Sequence, residues 1–204
     1  MPRLVGLTGG IATGKSFVES ILVELGAAVV DADTVARDVV KVGTDGLLKI
    51  RKRFGEEILL PDGTLDRAKL SDIVFTDESA RHDLNEILHP LIAQESQRRI
   101  AELYGQGHKL VIYSAALLVE KKLYGTMQGL IVVHVSPLVQ LERLQRRDSI
   151  SEEAAQKRVA AQLPQREKLD VATHTIDNSG TKSETRALVA NLWRDLNRPE
   201  NEQS

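Results

Sequence analysis

The chain reads as an α/β fold built on a five-stranded parallel sheet, and three features point there. Short apolar runs recur at Arg3–Thr8, Ala27–Val30, Leu110–Tyr113, Leu130–Val135 and Thr173–Ile176, with helical patterning between them. The first two runs are separated by a glycine-rich turn and the periodic stretch Phe17–Leu25. A strand, a helix and a second strand in 30 residues require a crossover, and a crossover makes the strands parallel.

In order along the chain, Arg3–Thr8 is the first strand, and glycines stop it at once. Phe17–Leu25 is the first helix. Ala27–Val30 is the second strand and runs into Asp31-Ala32-Asp33. From Thr34 to Gly107 the patterning is helical with hardly any strand, so residues 34–107 form a helical insertion. Within it Pro61-Asp62-Gly63 predicts a tight turn, and His89-Pro90 predicts a break in a helix. Leu110–Tyr113 and Leu130–Val135 resume the sheet, and a charged helical piece, 137–163, follows. Thr173–Ile176 is the fifth strand, and the polar end Arg198–Ser204 is expected to fray. The sheet-bearing core is thus 1–33, 108–136 and 164–204.

Composition narrows the function classes. With 204 residues, 42% apolar, the chain is long enough to bury roughly 70% of its unfolded surface in its own core. Net charge is −2, which argues against a general polyanion binder and so against nucleic acid as a partner. One Trp, three Tyr and three Phe are too few for a base-stacking platform. Without cysteine there is no disulfide, thiolate metal site or cysteine nucleophile. No run approaches a spanning helix, and MPRLVGL lacks the apolar region of a secretory signal. The expectation is a soluble cytosolic protein without a membrane partner.

Gly9-Gly10-Ile11-Ala12-Thr13-Gly14-Lys15-Ser16 fits the phosphate-loop pattern G-x-x-x-x-G-K-[ST]. Gly9 and Gly14 let the backbone curl so that successive N–H groups face one concavity. The helix that follows adds its positive end. Lys15 reaches the β- and γ-phosphates, and the Ser16 hydroxyl suits Mg²⁺. A nucleoside triphosphate is the implied ligand. The N-K-x-D motif of GTPases is absent, and Asp177-Asn178-Ser179-Gly180 comes too late in the chain for a switch loop. Transport and motor ATPases end a strand in an Asp that supports the metal through water; here Leu110–Tyr113 runs into Ser114. What remains is a small kinase of metabolites.

Taken together, the motifs resemble the dephospho-coenzyme A kinase family. GLTGGIATGKS is similar to its GLTGGIGSGKS, with Ala12 and Thr13 in place of Gly and Ser. Asp31-Ala32-Asp33 with Val35-Ala36-Arg37 resembles its D-A-D…A-R stretch, and His89-Pro90-Leu91-Ile92 its H-P-L motif. Gly63…Leu65-Asp66-Arg67…Leu70 and Ile73-Val74-Phe75 match a further segment. Ala116-Leu117-Leu118-Val119-Glu120 is similar to P-L-L-x-E, with Ala116 for Pro. Arg143…Arg147-Asp148 and Asp177-Asn178-Ser179-Gly180 complete a likeness over about residues 3–195. The resemblance implies ATP and dephospho-coenzyme A as substrates, with Mg²⁺, and phosphorylation of the ribose 3′-hydroxyl to give coenzyme A and ADP. It also implies a phosphate-loop kinase core, an acceptor-binding insertion at 34–107 and a lid at 137–163, in a monomer or small homo-oligomer.

The site residues follow on those terms. Lys15, Asp33 and Arg147 are the catalytic candidates. Nucleotide contacts are expected from Gly10, Ile11, Ala12, Thr13, Gly14, Lys15, Ser16, Arg143 and Asn178. Acceptor contacts implied by the resemblance are Thr8, Asp33, Arg37, His89 and Leu117. Ser16 and Asp31 are the metal candidates. Several carry a plainer reading as well. Asp33 follows a buried strand, so it is either a general base for the acceptor hydroxyl or a helix N-cap. Asp31 either orients a metal-bound water or ends the strand. His89 by spacing is only a helix-break residue, and His134 is structural. Arg143 and Arg147 share a helix face, as a phosphate clamp or as a solvated surface partnered by Glu142 and Asp148. Asn178 either meets adenine or builds a turn. Arg98-Arg99 reads as solvated surface. Two rival functions share the phosphate loop: another small-metabolite or nucleoside kinase, and a nucleotide-sensing module without turnover.

Overall fold

A computed structural model describes residues 2–198. In chain order the elements begin β1 (Arg3–Gly9), α1 (Lys15–Glu24), β2 (Ala28–Asp31) and α2 (Ala32–Asp38). Three helices follow, α3 (Asp45–Phe54), α4 (Arg67–Thr76) and α5 (Glu78–Gly105). Then come β3 (Leu110–Ser114), β4 (Gly129–His134), α6 (Pro137–Asp148), α7 (Glu152–Ala160), α8 (Gln165–Asp170), β5 (His174–Asp177) and α9 (Lys182–Leu196). The fold is α/β, and its five strands lie in the order β2-β3-β1-β4-β5.

The chain divides into two compact units, one made of the residues up to Val29 and from Leu103 onward, the other of Val30–Glu102. In the first, β1 is the central strand. It pairs in parallel with β3, Leu7 opposite Ser114, and with β4, Gly9 opposite Val133. Being covered on both faces, these strands read as continuous apolar runs rather than alternating ones. Val5 and Leu7 of β1, Ile112 of β3, and Ile131 and Val133 of β4 pack with Val18, Ile21 and Leu22 of α1 and Val189, Leu192 and Leu196 of α9. Each such side chain contributes about 1.5–3 kcal/mol of burial. This core fixes the ends of β1 and β3, and so the loops that leave them.

The second unit is helical. Its core joins Val40, Ile50, Phe54, Ile58, Leu70 and Ala80. Thr44 and Asp66 cap α3 and α4 by accepting the backbone N–H of Leu47 and Lys69. The expected turn at Pro61-Asp62-Gly63 is present: Gly63 has φ 81, Asp62 accepts the Thr64 N–H, and Leu59 and Leu65 form an antiparallel bridge.

Strand limits differ from the apolar runs by about one residue: in β5 pairing continues past Ile176 to Asp177, whereas β4 ends at His134, one residue before the apolar Val135. The expected break at His89-Pro90 does not occur. Helix α5 runs 28 residues with Pro90 inside it. Proline removes one N–H and frees the carbonyl four residues earlier, that of Glu86. Both Glu86 and Pro90 are exposed, so the proline lies on the solvent side of the helix, where losing that bond costs least. The division at Val30 and Glu102 falls a few residues before the expected 34 and 107, within α5 on the later side. The charged piece 137–163 is two helices, α6 and α7, joined at Ser149 with φ 53. Of the polar end Arg198–Ser204, all but Arg198 lies outside the described residues. Among those residues no helix is long and apolar enough to cross a membrane.

Candidate active site

The glycine-rich segment leaves β1 at Gly9 and enters α1 at Lys15. Gly14 forms the N-terminal boundary of α1 in the left-handed region, φ 86. A Cβ there would also stand 2.2 Å from Asn178 Nδ2, so glycine is required twice over. Ala12 has φ 60, also left-handed. For a residue with a Cβ that conformation costs about 1–2 kcal/mol, and the loop closes in spite of it.

The loop is braced from several sides. The Thr13 hydroxyl donates to the Gly10 carbonyl at 2.8 Å. Gln140 Nε2 donates to the Ile11 carbonyl at 2.8 Å, and Gln165 Nε2 to Gln140 Oε1 at 2.8 Å. Gln162 Oε1 accepts the Ile11 N–H at 2.7 Å. Ile11, expected to offer its N–H to phosphate, therefore already has a partner, which a ligand there must displace. Asn178 is 5% exposed. Its Nδ2 donates to the Thr13 carbonyl at 2.8 Å, and its Oδ1 accepts the Thr185 hydroxyl at 2.7 Å. Each end of this amide makes one internal hydrogen bond, so Asn178 braces the loop, and the expected adenine contact is left its second N–H and second lone pair. The turn reading belongs to Asp177, whose Oδ1 accepts the Ser179 N–H at 2.8 Å; hydrogen bonding from the Ser179 side chain first, and then from its N–H, holds the carboxyl below the usual range.

Gly9, Gly10, Ile11, Ala12, Gly14, Lys15 and Ser16 line a cavity of about 470 Å³ together with Ala116, Arg143, Arg147 and Gln162. The structure thus brings the loop and both expected arginines of α6 to one space. Arg147 also keeps its plainer partner: its Nε donates to Asp148 Oδ1 at 2.7 Å. That bond raises the Arg147 pKa and lowers that of Asp148, which Arg158 of α7 contacts too. A cavity lined by backbone N–H groups, an ammonium and two guanidiniums suits a polyanion.

Lys15 Nζ lies 2.7 Å from Ser114 Oγ and 3.4 Å from Glu19 Oε2. Glu19 was legible as the residue four after Lys15 on one helix face, yet sequence reasoning passed over it. It also missed Gln140, Gln162 and Lys168. Lys168, 1% exposed, pairs with Glu120 and so ties α8 to the segment after β3. Nothing in its local pattern marks it as buried. Thr8, expected to touch the acceptor, is fully buried and donates its hydroxyl to the Ala116 carbonyl at 3.1 Å, which places that same segment. Leu117 within it is 44% exposed.

In the helical unit Asp31 caps α2, accepting the Asp33 N–H at 2.9 Å and the Thr34 hydroxyl at 2.8 Å. The N-cap reading weighed for Asp33 therefore belongs to Asp31. Asp33 sits in the first turn, exposed, and among the described residues no hydrogen bond uses its carboxylate. Arg37, in the last turn of α2, and His89, in α5, are exposed. Arg98-Arg99 is more than solvated surface: Arg99 joins Asp38 of α2 to Glu95 of α5. Among the described residues no group of three or more acidic, His or Cys side chains is placed to hold a metal by itself. The exposed Ser16 hydroxyl fits Mg²⁺ that arrives on phosphates, since this ion takes few protein ligands beside phosphate oxygens.

The dephospho-CoA kinase family model matches residues 3–184. A dephospho-CoA kinase of Geobacter sulfurreducens is 44% identical over 191 residues, which is 94% of this chain and 97% of that protein. Among solved structures, a dephospho-CoA kinase from Campylobacter jejuni is 26% identical with a TM-score of 0.69, over 96% of this chain and 97% of that one. Shikimate kinase from Acinetobacter baumannii, 14% identical, shares the fold with a TM-score of 0.53, over 100% of this chain and 97% of that one.

Proposed function

The chain belongs to the dephospho-coenzyme A kinase family, and from that premise we propose that it transfers the γ-phosphate of ATP to the ribose 3′-hydroxyl of dephospho-coenzyme A. The observation that carries this reading is the kinship across nearly the whole chain, joined to a cavity that puts the phosphate loop and two arginines together. In the reaction the 3′-oxygen bonds to the γ-phosphorus and the bond from that phosphorus to the bridging oxygen breaks. Coenzyme A and ADP are the products.

The loop amides of residues 10–16 and the Lys15 ammonium hold the β- and γ-phosphates. Arg143 and Arg147 neutralise the charge that shifts toward the leaving oxygen, an effect largest in the transition state. Asp33 takes the proton of the 3′-hydroxyl, and a carboxylate that is exposed and takes no hydrogen bond among the described residues supports that role. Ser16 would hold Mg²⁺, with Asp31 as the second candidate, and the ion would supply charge withdrawal from the phosphates. Thr8 acts from behind by placing the segment with Leu117, while Arg37 and His89 contact the acceptor from the helical insertion expected at 34–107. The 137–163 segment serves as the lid. The protein works in the cytoplasm, as a monomer or small homo-oligomer.

The test is ADP release over a panel of acceptors. The rate rises strongly with dephospho-coenzyme A and little with shikimate, gluconate or nucleoside monophosphates. A monophosphate or shikimate as the better acceptor overturns the reading in favour of another small-metabolite kinase. Binding of ATP with no turnover on any acceptor favours a nucleotide sensor.

A further inference from the structure

The end of β3 poses a chemical problem. The residue there is Ser114, fully buried, in the place where phosphate-loop ATPases carry an acid. A carboxylate is nevertheless present, and it comes from a different element. Glu19, one turn into α1 from Lys15, accepts the Ser114 hydroxyl on Oε2 at 2.5 Å. Ser114 Oγ in turn lies 2.7 Å from Lys15 Nζ.

An ordinary Lys–Glu pair at this spacing is a solvated surface contact that contributes little. This one is turned inward, with the Lys15 and Glu19 side chains only 11% and 18% exposed, and anchored on a buried hydroxyl. Ser114 has a single hydroxyl proton, and Glu19 receives it. Its lone pairs face Lys15. Oε1 of Glu19 takes no hydrogen bond among the described residues, so the carboxylate keeps acceptor capacity beside the phosphate loop. Once phosphate draws the ammonium to its own oxygens, the Ser114–Glu19 bond alone still holds the carboxylate at the strand end.

We propose that Glu19 is the metal-positioning carboxylate of this site: it reaches from α1 to the end of β3, Ser114 fixes its rotamer, and it accepts hydrogen bonds from the water shell of the magnesium of MgATP. The role is that of a positioning residue, since the carboxylate touches neither the reacting phosphorus nor the acceptor. It rests on the phosphate-transfer reading only through MgATP, and would hold for any acceptor.

The test is the affinity for ATP measured by calorimetry twice, in EDTA and in excess Mg²⁺. The gain in affinity on adding Mg²⁺ is the readout. Glu19→Gln lowers that gain roughly tenfold or more, on the scale of losing a metal's outer-shell partner. Its metal-free affinity stays level or tightens, because a negative charge has left the phosphate site. Adding Ser114→Asp to Glu19→Gln puts a carboxylate back at the strand end and recovers most of the gain. An unchanged gain in Glu19→Gln overturns the proposal. So does an equal loss with and without Mg²⁺, which assigns Glu19 only to Lys15 or to the fold, and so does failure of the double variant to recover. Melting without nucleotide checks each variant, and Glu19→Asp carries the same test if Glu19→Gln melts too low. Absence of ATP binding by the unaltered protein strikes the phosphate-site reading itself, so the two failures are distinguishable.

Discussion

Replacing Asn178 with alanine separates a base-reading amide from one that braces the phosphate loop. The substitution removes two buried hydrogen bonds, to the Thr13 carbonyl and from the Thr185 hydroxyl. They are not equivalent. Thr185 Oγ has a second acceptor, the Thr181 carbonyl at 3.2 Å, so its loss is that of one ordinary bond, about 1 kcal/mol. The carbonyl of Thr13, a fully buried residue, is left without its donor, at about 1–3 kcal/mol. The sum is about 2–4 kcal/mol. For a chain of this size each kcal/mol moves the melting temperature by about 2–4 °C, so the drop is roughly 5–15 °C. The assay is thermal melting without nucleotide, beside calorimetric affinities for ATP and GTP. The loosened loop weakens both nucleotides by a similar factor. An unchanged melting temperature with a loss confined to ATP would return Asn178 to the base and break the bracing argument.

Three further outcomes follow from the same geometry. Asp33→Asn leaves the Asp31 cap intact and forgoes only a first-turn charge, about 0.3–1 kcal/mol. Transfer should fall by roughly 10²–10⁴ while background ATP hydrolysis falls less; normal transfer by this variant removes Asp33 from the mechanism. Arg147→Ala should lower the maximal rate, by roughly 10²-fold, more than it weakens ATP binding, and equal losses in kinetics and calorimetry would mean simple ground-state binding. Glu95 is held down to about 2 by hydrogen bonds from Arg98 and then Arg99. A carboxylate depressed on folding stabilises above its unfolded pKa of about 4.3, and that stability drains away as pH falls toward about 2. Glu95→Gln should therefore melt below the unaltered protein above pH ~4.3, with the gap closing by about pH 2; a gap independent of pH would exclude the ion pairs as its source.

Much of the fold was legible because parallel strands buried on both faces must be apolar runs, and the runs at β1, β3 and β4 are nearly uninterrupted. The phosphate loop was legible because its glycines answer to backbone geometry, as at Gly14. The Pro90 break was misjudged because proline's cost depends on whether the freed carbonyl meets water, and only the helix's orientation decides that. The N-cap of α2, weighed at Asp33 as one of two readings, lies two residues earlier, since Asp31 and Asp33 both suit a cap and differ only in where the strand ends. The residues that went unseen share one property. Glu19, Gln162 and Lys168 each act through a partner far along the chain, Glu19 on Ser114, Gln162 on Ile11 and Lys168 on Glu120; local spacing shows only the Lys15–Glu19 pair and not what turns it inward.

The central claim is the identity of the bond made. Purified protein incubated with ATP, Mg²⁺ and dephospho-coenzyme A should yield one new phosphomonoester in the phosphorus NMR spectrum, coupled to the ribose 3′ proton, growing in step with ADP. Phosphate appearing free in solution, or on any oxygen other than the 3′, would contradict the account.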